Sequence, residues 1–291
     1  MQKITELKCK SALYYHKPLL PTHLDLNIYR GCEHKCIYCF AQYSHKYLES
    51  DNFFDEIFVK TNIAEQLDKE LSKKHQGEPI SISGVTDCYQ PIERKYKLMP
   101  QILEVIKKHK NPIVITTKSN LILRDLELIK QIAQITDVCI SSTITTLDEN
   151  IQKLIEPNAA PTLERFEILQ RFKEIDCHTT LMLMPVIPHL TDSQENLEAI
   201  FKTAKQHNVD YLITDFLNLK GHTKQQFLNF LQQHFPHLIE KYKQIYKTAF
   251  LEKNYKTETQ QILNTLRKKY SLLSPPSIPS KKIQDKQMKL F

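Results

Sequence analysis

Cys32, Cys36 and Cys39 fall within one short stretch, Tyr29-Arg-Gly-Cys-Glu-His-Lys-Cys-Ile-Tyr-Cys-Phe40, with the spacing Cys-x3-Cys-x2-Cys. Three thiols this close in sequence are poorly used as core residues, but they can wrap one soft metal centre from a single loop. Iron–sulfur cubanes are normally held by four thiolates. Three local ligands therefore predict a cluster with one iron left open, and an open coordination position marks a metal site that does chemistry. A zinc site is the rival reading. It requires four ligands, usually two Cys pairs or a Cys pair with a His pair. His34 is the nearest candidate for the fourth, yet it lies inside the loop, and the sequence holds no second Cys-x-x-Cys.

The same segment closely resembles the signature of the radical S-adenosylmethionine (radical SAM) superfamily. That resemblance implies that Cys32, Cys36 and Cys39 hold a [4Fe–4S] cluster whose open iron chelates S-adenosyl-L-methionine. It also implies reductive cleavage of the sulfonium and a 5′-deoxyadenosyl radical that abstracts hydrogen from a substrate, with the protein supplying binding and orientation. Tyr38 matches the aromatic residue usual before the last cysteine, placed near the adenine in family members. The electron is expected from an external flavodoxin- or ferredoxin-type donor.

The elements that must carry this loop can be read from pattern. Apolar, β-prone runs alternate with helical periodicity, which predicts α/β architecture around a parallel sheet. Strands are expected at Leu26–Arg30, Pro79–Ser83, Pro112–Thr117, Asp137–Thr143, Thr179–Pro185 and Asp210–Asp215. Between them helices are expected at Ile63–Lys74, Leu98–Lys108, Leu126–Ile135, Leu163–Lys173 and Gln194–Lys205. Each crossover is long enough for a helix, as parallel pairing demands. Six such units predict a partial (β/α)6 TIM-like barrel, the core fold that the radical SAM resemblance also implies. Beyond Asn218 the strand signal stops, and Gln225–His234, Leu238–Phe250 and Thr257–Tyr270 read as helices. The expected organisation is an N-terminal extension over 1–25, a core barrel over 26–218, a helical C-terminal region over 219–273, and a basic, disordered tail over 274–291.

In such a barrel the reactive groups gather at the C-terminal ends of the strands. Five polar segments should land there: the cysteine loop, Ser83-Gly-Val-Thr-Asp-Cys-Tyr-Gln-Pro-Ile-Glu93, Thr116-Thr-Lys-Ser119, Ser141-Ser-Thr-Ile-Thr-Thr146 and Pro185-Val-Ile-Pro-His-Leu-Thr-Asp192. Gly84 would let backbone approach a ligand closely. Thr86 and Asp87 could accept from an ammonium or a ribose hydroxyl, or Asp87 could cap a turn. Lys118 ends an apolar strand, where a charge needs a partner: the cofactor carboxylate, Asp87 or Glu93. Ser142, with Ser141 and Thr143, could offer hydroxyls to a ribose. Tyr38, Ser83, Gly84, Thr86, Asp87, Lys118 and Ser142 are thus the expected cofactor surroundings.

These secondary motifs, with Thr145-Thr-Leu-Asp-Glu149, Glu156-Pro157, Pro161 and Arg165, resemble the spore photoproduct lyase-related group, also called DNA repair photolyases, from about Leu26 to Asp215. In the true lyases a cysteine thiol stands just before the Ser/Thr-Asp pair of the second-strand loop and returns a hydrogen atom to the product radical. Here Val85 occupies that place and has no such hydrogen to give, so the resemblance carries radical chemistry further than it carries lyase activity. The expected substrate is open: a nucleic-acid base, or a protein side chain or small metabolite. The non-catalytic alternative is a zinc module that contacts nucleic acid.

Composition bounds these readings. The chain has 291 residues and 41% hydrophobic content, enough for a large core. Seven cysteines is an odd number, and Cys9, Cys88, Cys139 and Cys177 show no pairing pattern. Met1–Lys10 lacks the apolar core of a secretion signal, and no apolar run approaches a bilayer span. A reducing cytoplasmic setting is expected. The net charge of +7 is uneven: Lys241–Phe291 carries twelve Lys/Arg against three acids, while the remainder is slightly acidic. A basic tail can contact nucleic-acid phosphates, or simply form a solvated face.

Overall fold

Two short strands open the chain, β1 (Lys3–Leu7) and β2 (Leu13–Tyr15), in a computed structural model that describes residues 2–15, 24–48, 50 and 52–275. They are followed by β3 (Leu24–Leu26), β4 (Tyr29–Arg30), β5 (Glu56–Lys60), β6 (Ile80–Ile82), β7 (Ile113–Thr116), β8 (Val138–Thr143), β9 (His178–Val186) and β10 (Tyr211–Phe216). The main sheet has the order β10-β9-β8-β7-β6-β3-β2. Its six strands β3, β6, β7, β8, β9 and β10 all pair in parallel, and β2 adds an antiparallel edge. This is the expected mixed α/β architecture of six parallel units in sequence order.

The register explains which side is core. Leu26, Ile82, Ile115 and Ile140 lie in line across four neighbouring strands and are fully buried. Their alternates Ser81, Val114 and Cys139 are half-buried on the opposite face, as a two-residue repeat requires. The helices present matching stripes. In α1 (Ile63–Leu71) the buried positions are Ile63, Leu67 and Leu71. In α3 (Leu98–His109) they include Leu98, Ile102 and Ile106, after the single turn α2 (Glu93–Tyr96). Helices α4 (Leu126–Ala133), α5 (Glu149–Ile155), α6 (Thr162–Lys173) and α7 (Gln194–Gln206) complete the layer. Burying each such Leu or Ile contributes about 1.5–3 kcal/mol, so these stripes fix where the strand ends point.

The expected strand Leu26–Arg30 divides in two. Leu26 pairs with Ile82 in the main sheet, whereas Tyr29 pairs with Val59 in a second, three-stranded sheet of order β1-β5-β4. Asn27 holds the crossing: its side-chain oxygen accepts from Val85 N at 2.9 Å and its carbonyl accepts from Lys60 Nζ at 2.5 Å. The residues expected as an extension, 1–25, supply β1 and β2 and begin β3, so they are woven into both sheets.

The C-terminal region is helical as expected, with α8 (His222–His234), α9 (Ile239–Ile245) and α10 (Lys253–Tyr270). The expected helix Leu238–Phe250 stops at Ile245, and Tyr246 turns inward to donate its hydroxyl to Leu217 O at 2.8 Å. The free edge of β10 is covered. Arg267 donates to Leu212 O at 2.7 Å, and Leu273 bridges to Tyr211, which blunts an otherwise open pairing edge. The greater part of the expected basic tail, 276–291, lies outside the described residues. No helix among the described residues is long and apolar enough to cross a membrane.

Candidate metal centre

Strand β4 delivers the chain to Gly31, whose φ is +81°. A Cβ there would lie 2.5 Å from Glu56 O and 2.9 Å from Phe53 O, so glycine alone allows the loop to lie this close against β5. Cys32 N then donates to Phe53 O at 3.2 Å, and Cys39 N donates back to Cys36 O at 3.1 Å. Cys32 and Cys36 are buried, Cys39 is half-buried, and none of the three is joined in a disulfide.

Burial shifts all three thiols in the same direction. Burial pushes Cys36 up to about 12, with Lys118 pulling against it and Glu156 and Cys39 adding to it. Burial also holds Cys32 well above the usual thiol range, reinforced by Asp87, Cys36 and Cys39. Cys39 is raised by burial, against hydrogen bonds from the Ala41 and Gln42 backbone and the charge of Lys118. Burial therefore favours the protonated thiols, and a metal group must displace those protons to bind. Among the described residues no three His, Cys, Asp or Glu side chains are grouped to hold a metal ion. That bears on a lone ion, whose ligands must all reach one point; the thiolates of a cluster attach to separate irons. Three soft donors on one loop, none spent in a disulfide, fit the cluster.

Asp87 is a buried knot beneath this loop. Its carboxylate accepts from Tyr89 N at 2.9 Å, Thr117 Oγ1 at 2.8 Å and Lys118 N at 2.8 Å, and its Oδ2 lies 3.1 Å from His34 Nε2. Burial alone would raise this carboxyl. The His34 ring and the hydrogen bonds from Lys118 N and Thr117 overcome it and hold the group at about 2. His34 in turn meets Asn158 O through Nδ1 at 2.8 Å. Of the two roles expected for Asp87, the bond from Tyr89 N is the turn cap, and the remaining partners make the carboxylate tie the cysteine loop to the ends of two strands.

Lys118 behaves differently from Asp87. Its ammonium forms no ion pair or hydrogen bond among the described residues, and it sits 5.9 Å from the centre of the Tyr38 ring. The alternative partners drop out. Asp87 takes only its backbone N–H, and Glu93 is committed to Arg124 at 2.7 Å and to Leu98 N and Met99 N. Burial works against the charge of Lys118, but Cys36, Glu156 and Asp87 more than offset it and raise its pKa. An unpaired cation beside the thiols is suited to an incoming anionic group.

The remaining expected residues are in place at the strand ends but largely engaged. Ser83 has a φ of 82° and accepts from Cys88 N at 2.9 Å. A Cβ on Gly84 would fall 3.1 Å from Asp25 Oδ2, so its small size accommodates that carboxylate. Thr86 donates to Gly31 O at 2.6 Å and accepts from Gln90. Ser142 is buried and donates to Thr117 O at 2.7 Å, so its proton is engaged within the protein. Val85 packs on the small cluster of Cys32, Ala41 and Phe53, whereas Cys88 is buried in the main core.

Sequence reasoning did not place the segment 155–160, which clamps the cysteine loop. Ile37 N donates to Ile155 O at 3.0 Å, Asn158 Nδ2 donates to Glu33 O at 2.7 Å, and the Tyr38 hydroxyl donates to Glu156. Glu156 also pairs with Arg165 at 2.6 Å. Charged residues at positions that must be buried were the available signal, but burial here is set by tertiary packing.

Comparison with known proteins follows this geometry. The family model described as the radical SAM superfamily matches residues 26–204. An uncharacterized protein of Mycobacterium tuberculosis (strain ATCC 25618 / H37Rv) is 32% identical over 276 residues, covering 92% of this chain and 81% of the relative. An uncharacterized protein of Methanocaldococcus jannaschii is 32% identical over 272 residues, covering 92% and 95%. Among solved structures, a spore photoproduct lyase variant with bound AdoMet and dinucleoside spore photoproduct superimposes with a TM-score of 0.66 at 12% identity, covering 92% of this chain and 79% of that one. At that identity the likeness is one of fold.

Proposed function

The chain belongs to the radical SAM superfamily, and from that premise we propose that Cys32, Cys36 and Cys39 hold a [4Fe–4S] cluster that binds S-adenosylmethionine at its open iron. When bound, the pair supplies reductive sulfonium cleavage and a 5′-deoxyadenosyl radical for hydrogen abstraction. The observation that carries this reading is the set of three free thiols at the C-terminal mouth of six parallel strands, with the unpaired Lys118 beside them.

The residues divide the work. The three thiols would hold the cluster as thiolates, giving up their protons on binding. The Lys118 ammonium would pair with the carboxylate of the methionine moiety, and the Tyr38 ring would offer a face to the adenine. Ser83, Gly84 and Thr86 shape the loop that receives the amino group, while Asp87 and Ser142 hold that loop and Thr117 in place. A cytoplasmic one-electron donor of flavodoxin or ferredoxin type supplies the electron. Val85 carries no weakly held hydrogen to return to a product radical, so the proposal stops short of spore photoproduct cleavage.

For the substrate, the observation that favours nucleic acid is a cavity of about 210 Å³ lined by Lys224, Lys243 and Lys247 over Leu219, Leu228, Tyr242 and Tyr246. It adjoins the first turn of α8, where Thr223 donates to Cys39 O at 3.1 Å. Three ammonium groups there suit the phosphates of a nucleic-acid strand. Binding of single-stranded DNA or RNA should weaken steeply as salt is raised. Absence of binding at low salt would turn the search to protein side chains and small metabolites. Anaerobic reconstitution, followed by assay of 5′-deoxyadenosine, tests the chemistry itself.

A further inference from the structure

We infer that Glu156 and Arg165 are positioning residues for this chemistry, acting through Tyr38 and Lys118; the inference rests on the radical SAM reading above. Glu156 Oε2 and Arg165 Nη1 meet at 2.6 Å with each side chain only 1% exposed. A buried ion pair is weak grounds for stability, because the cost of desolvating both charges can equal their attraction. A charged pair retained in such a place calls for a different explanation, and its connections supply one.

Both ends of the pair lead to the cysteine loop or to the residue beside it. Glu156 accepts through its other oxygen from the Tyr38 hydroxyl, and Tyr38 lies between Cys36 and Cys39 in sequence. Arg165 Nε donates to Ala160 O at 2.7 Å, and Ala160 N donates to Lys118 O at 2.9 Å. Arg165 Nη1 also reaches Thr143 O at 2.8 Å, at the end of β8. One guanidinium thus ties the end of a strand to the Tyr38 ring by one path and to the Lys118 backbone by another. The ring and the Lys118 ammonium then stand 5.9 Å apart.

The physical effect is to remove freedom from two groups that would face the cofactor. A tyrosine anchored only at its Cβ can swing its ring; one held also at its hydroxyl cannot. The phenol is buried, so losing Glu156 would leave a donor without an acceptor. Outer groups of this kind orient first-contact residues and affect binding by about 10–100-fold. Neither Glu156 nor Arg165 is placed here against the reacting atoms.

The test uses the full-length protein, reconstituted anaerobically, with Tyr38→Phe, Glu156→Gln and the double variant. The readouts are iron content, the change in the electron paramagnetic resonance signal of the reduced cluster on adding S-adenosylmethionine, and the affinity for that cofactor. Iron content should be retained in all three. Each single variant should lose about tenfold in cofactor affinity and show an altered signal, and the double variant should lose no more than Glu156→Gln alone, because the Tyr38 hydroxyl acts through Glu156. Tyr38→Phe deletes one oxygen and spares the ion pair, so it decides the matter even where Glu156→Gln folds poorly. An unchanged affinity and signal in Tyr38→Phe, or fully additive losses in the double variant, would overturn the inference. A parent protein that takes up iron but shows no response to S-adenosylmethionine would instead overturn the radical SAM reading on which it stands.

Discussion

His34 Nε2 lies 3.1 Å from Asp87 Oδ2, and both side chains are hidden from solvent. One residue comes from within the cysteine loop and the other from the loop after β6. Through Asp87 the contact continues to Thr117 and Lys118 N at the end of β7. The loop that carries the thiols is therefore fastened to two strand ends before any metal arrives.

Replacing Asp87 with Ala should cost at least about 1–3 kcal/mol, because the buried donors Tyr89 N, Thr117 Oγ1 and Lys118 N then lose their acceptor. Urea unfolding of the iron-free protein measures this as a lower midpoint. Asp87→Asn keeps the shape and an acceptor oxygen and should lose less. An unmoved midpoint in Asp87→Ala would show that the contact does not support the loop.

Alanine at Cys32, Cys36 or Cys39 should abolish iron retention after anaerobic reconstitution. Cys177→Ala should keep it, since Cys177 lies just before β9, at the N-terminal ends of the parallel strands, whereas the cysteine loop follows the C-terminal end of β3. Iron and sulfide analysis of the purified variants is sufficient. Loss of iron from Cys177→Ala with retention in Cys36→Ala would reverse the ligand assignment.

Lys118→Met should leave iron content intact and weaken S-adenosylmethionine binding about tenfold, in the range expected for loss of a charge-assisted contact. Titration calorimetry under anaerobic conditions gives the constant. Equal affinity in parent and variant would remove Lys118 from the cofactor site.

Lys60 provides a test that depends on pH and not on iron. Burial, aided by Arg30, pushes its pKa down to about 8. The unfolded chain, with an ordinary lysine near 10.4, binds the proton more readily. Stability should therefore rise as pH is raised from about 8 toward 10.4, where the unfolded state holds more protons. In Lys60→Met that part of the slope should vanish. Parallel curves of unfolding free energy against pH for the two proteins would refute the assignment.

Much of this was legible in the sequence, for identifiable reasons. The parallel strands β6 to β10 are short apolar runs with helices between them, and pattern alone locates them to within a residue or two. The thiols were legible because their spacing is local. Strand β5, Glu-Ile-Phe-Val-Lys, carried a β-prone signal but was missed beside the more conspicuous loop. Helix α5 was missed although Asp148 caps it, accepting from Asn150 N and Ile151 N. The crossing at Asn27 was not legible, because its partners Val85 and Lys60 are remote in sequence. The same holds for Asp87: its own loop was read correctly as a strand-end segment, but its partners His34 and Thr117 are brought to it only by the sheet. The pairing of Glu156 with Arg165 depends in the same way on how α5 and α6 meet.

The most direct measurement is anaerobic reconstitution with iron and sulfide, then reduction in the presence of S-adenosylmethionine. The account predicts a brown protein that releases 5′-deoxyadenosine, and none from Cys36→Ala. A colourless protein that binds no iron, or an iron-loaded one that never cleaves the cofactor under reduction, would contradict it.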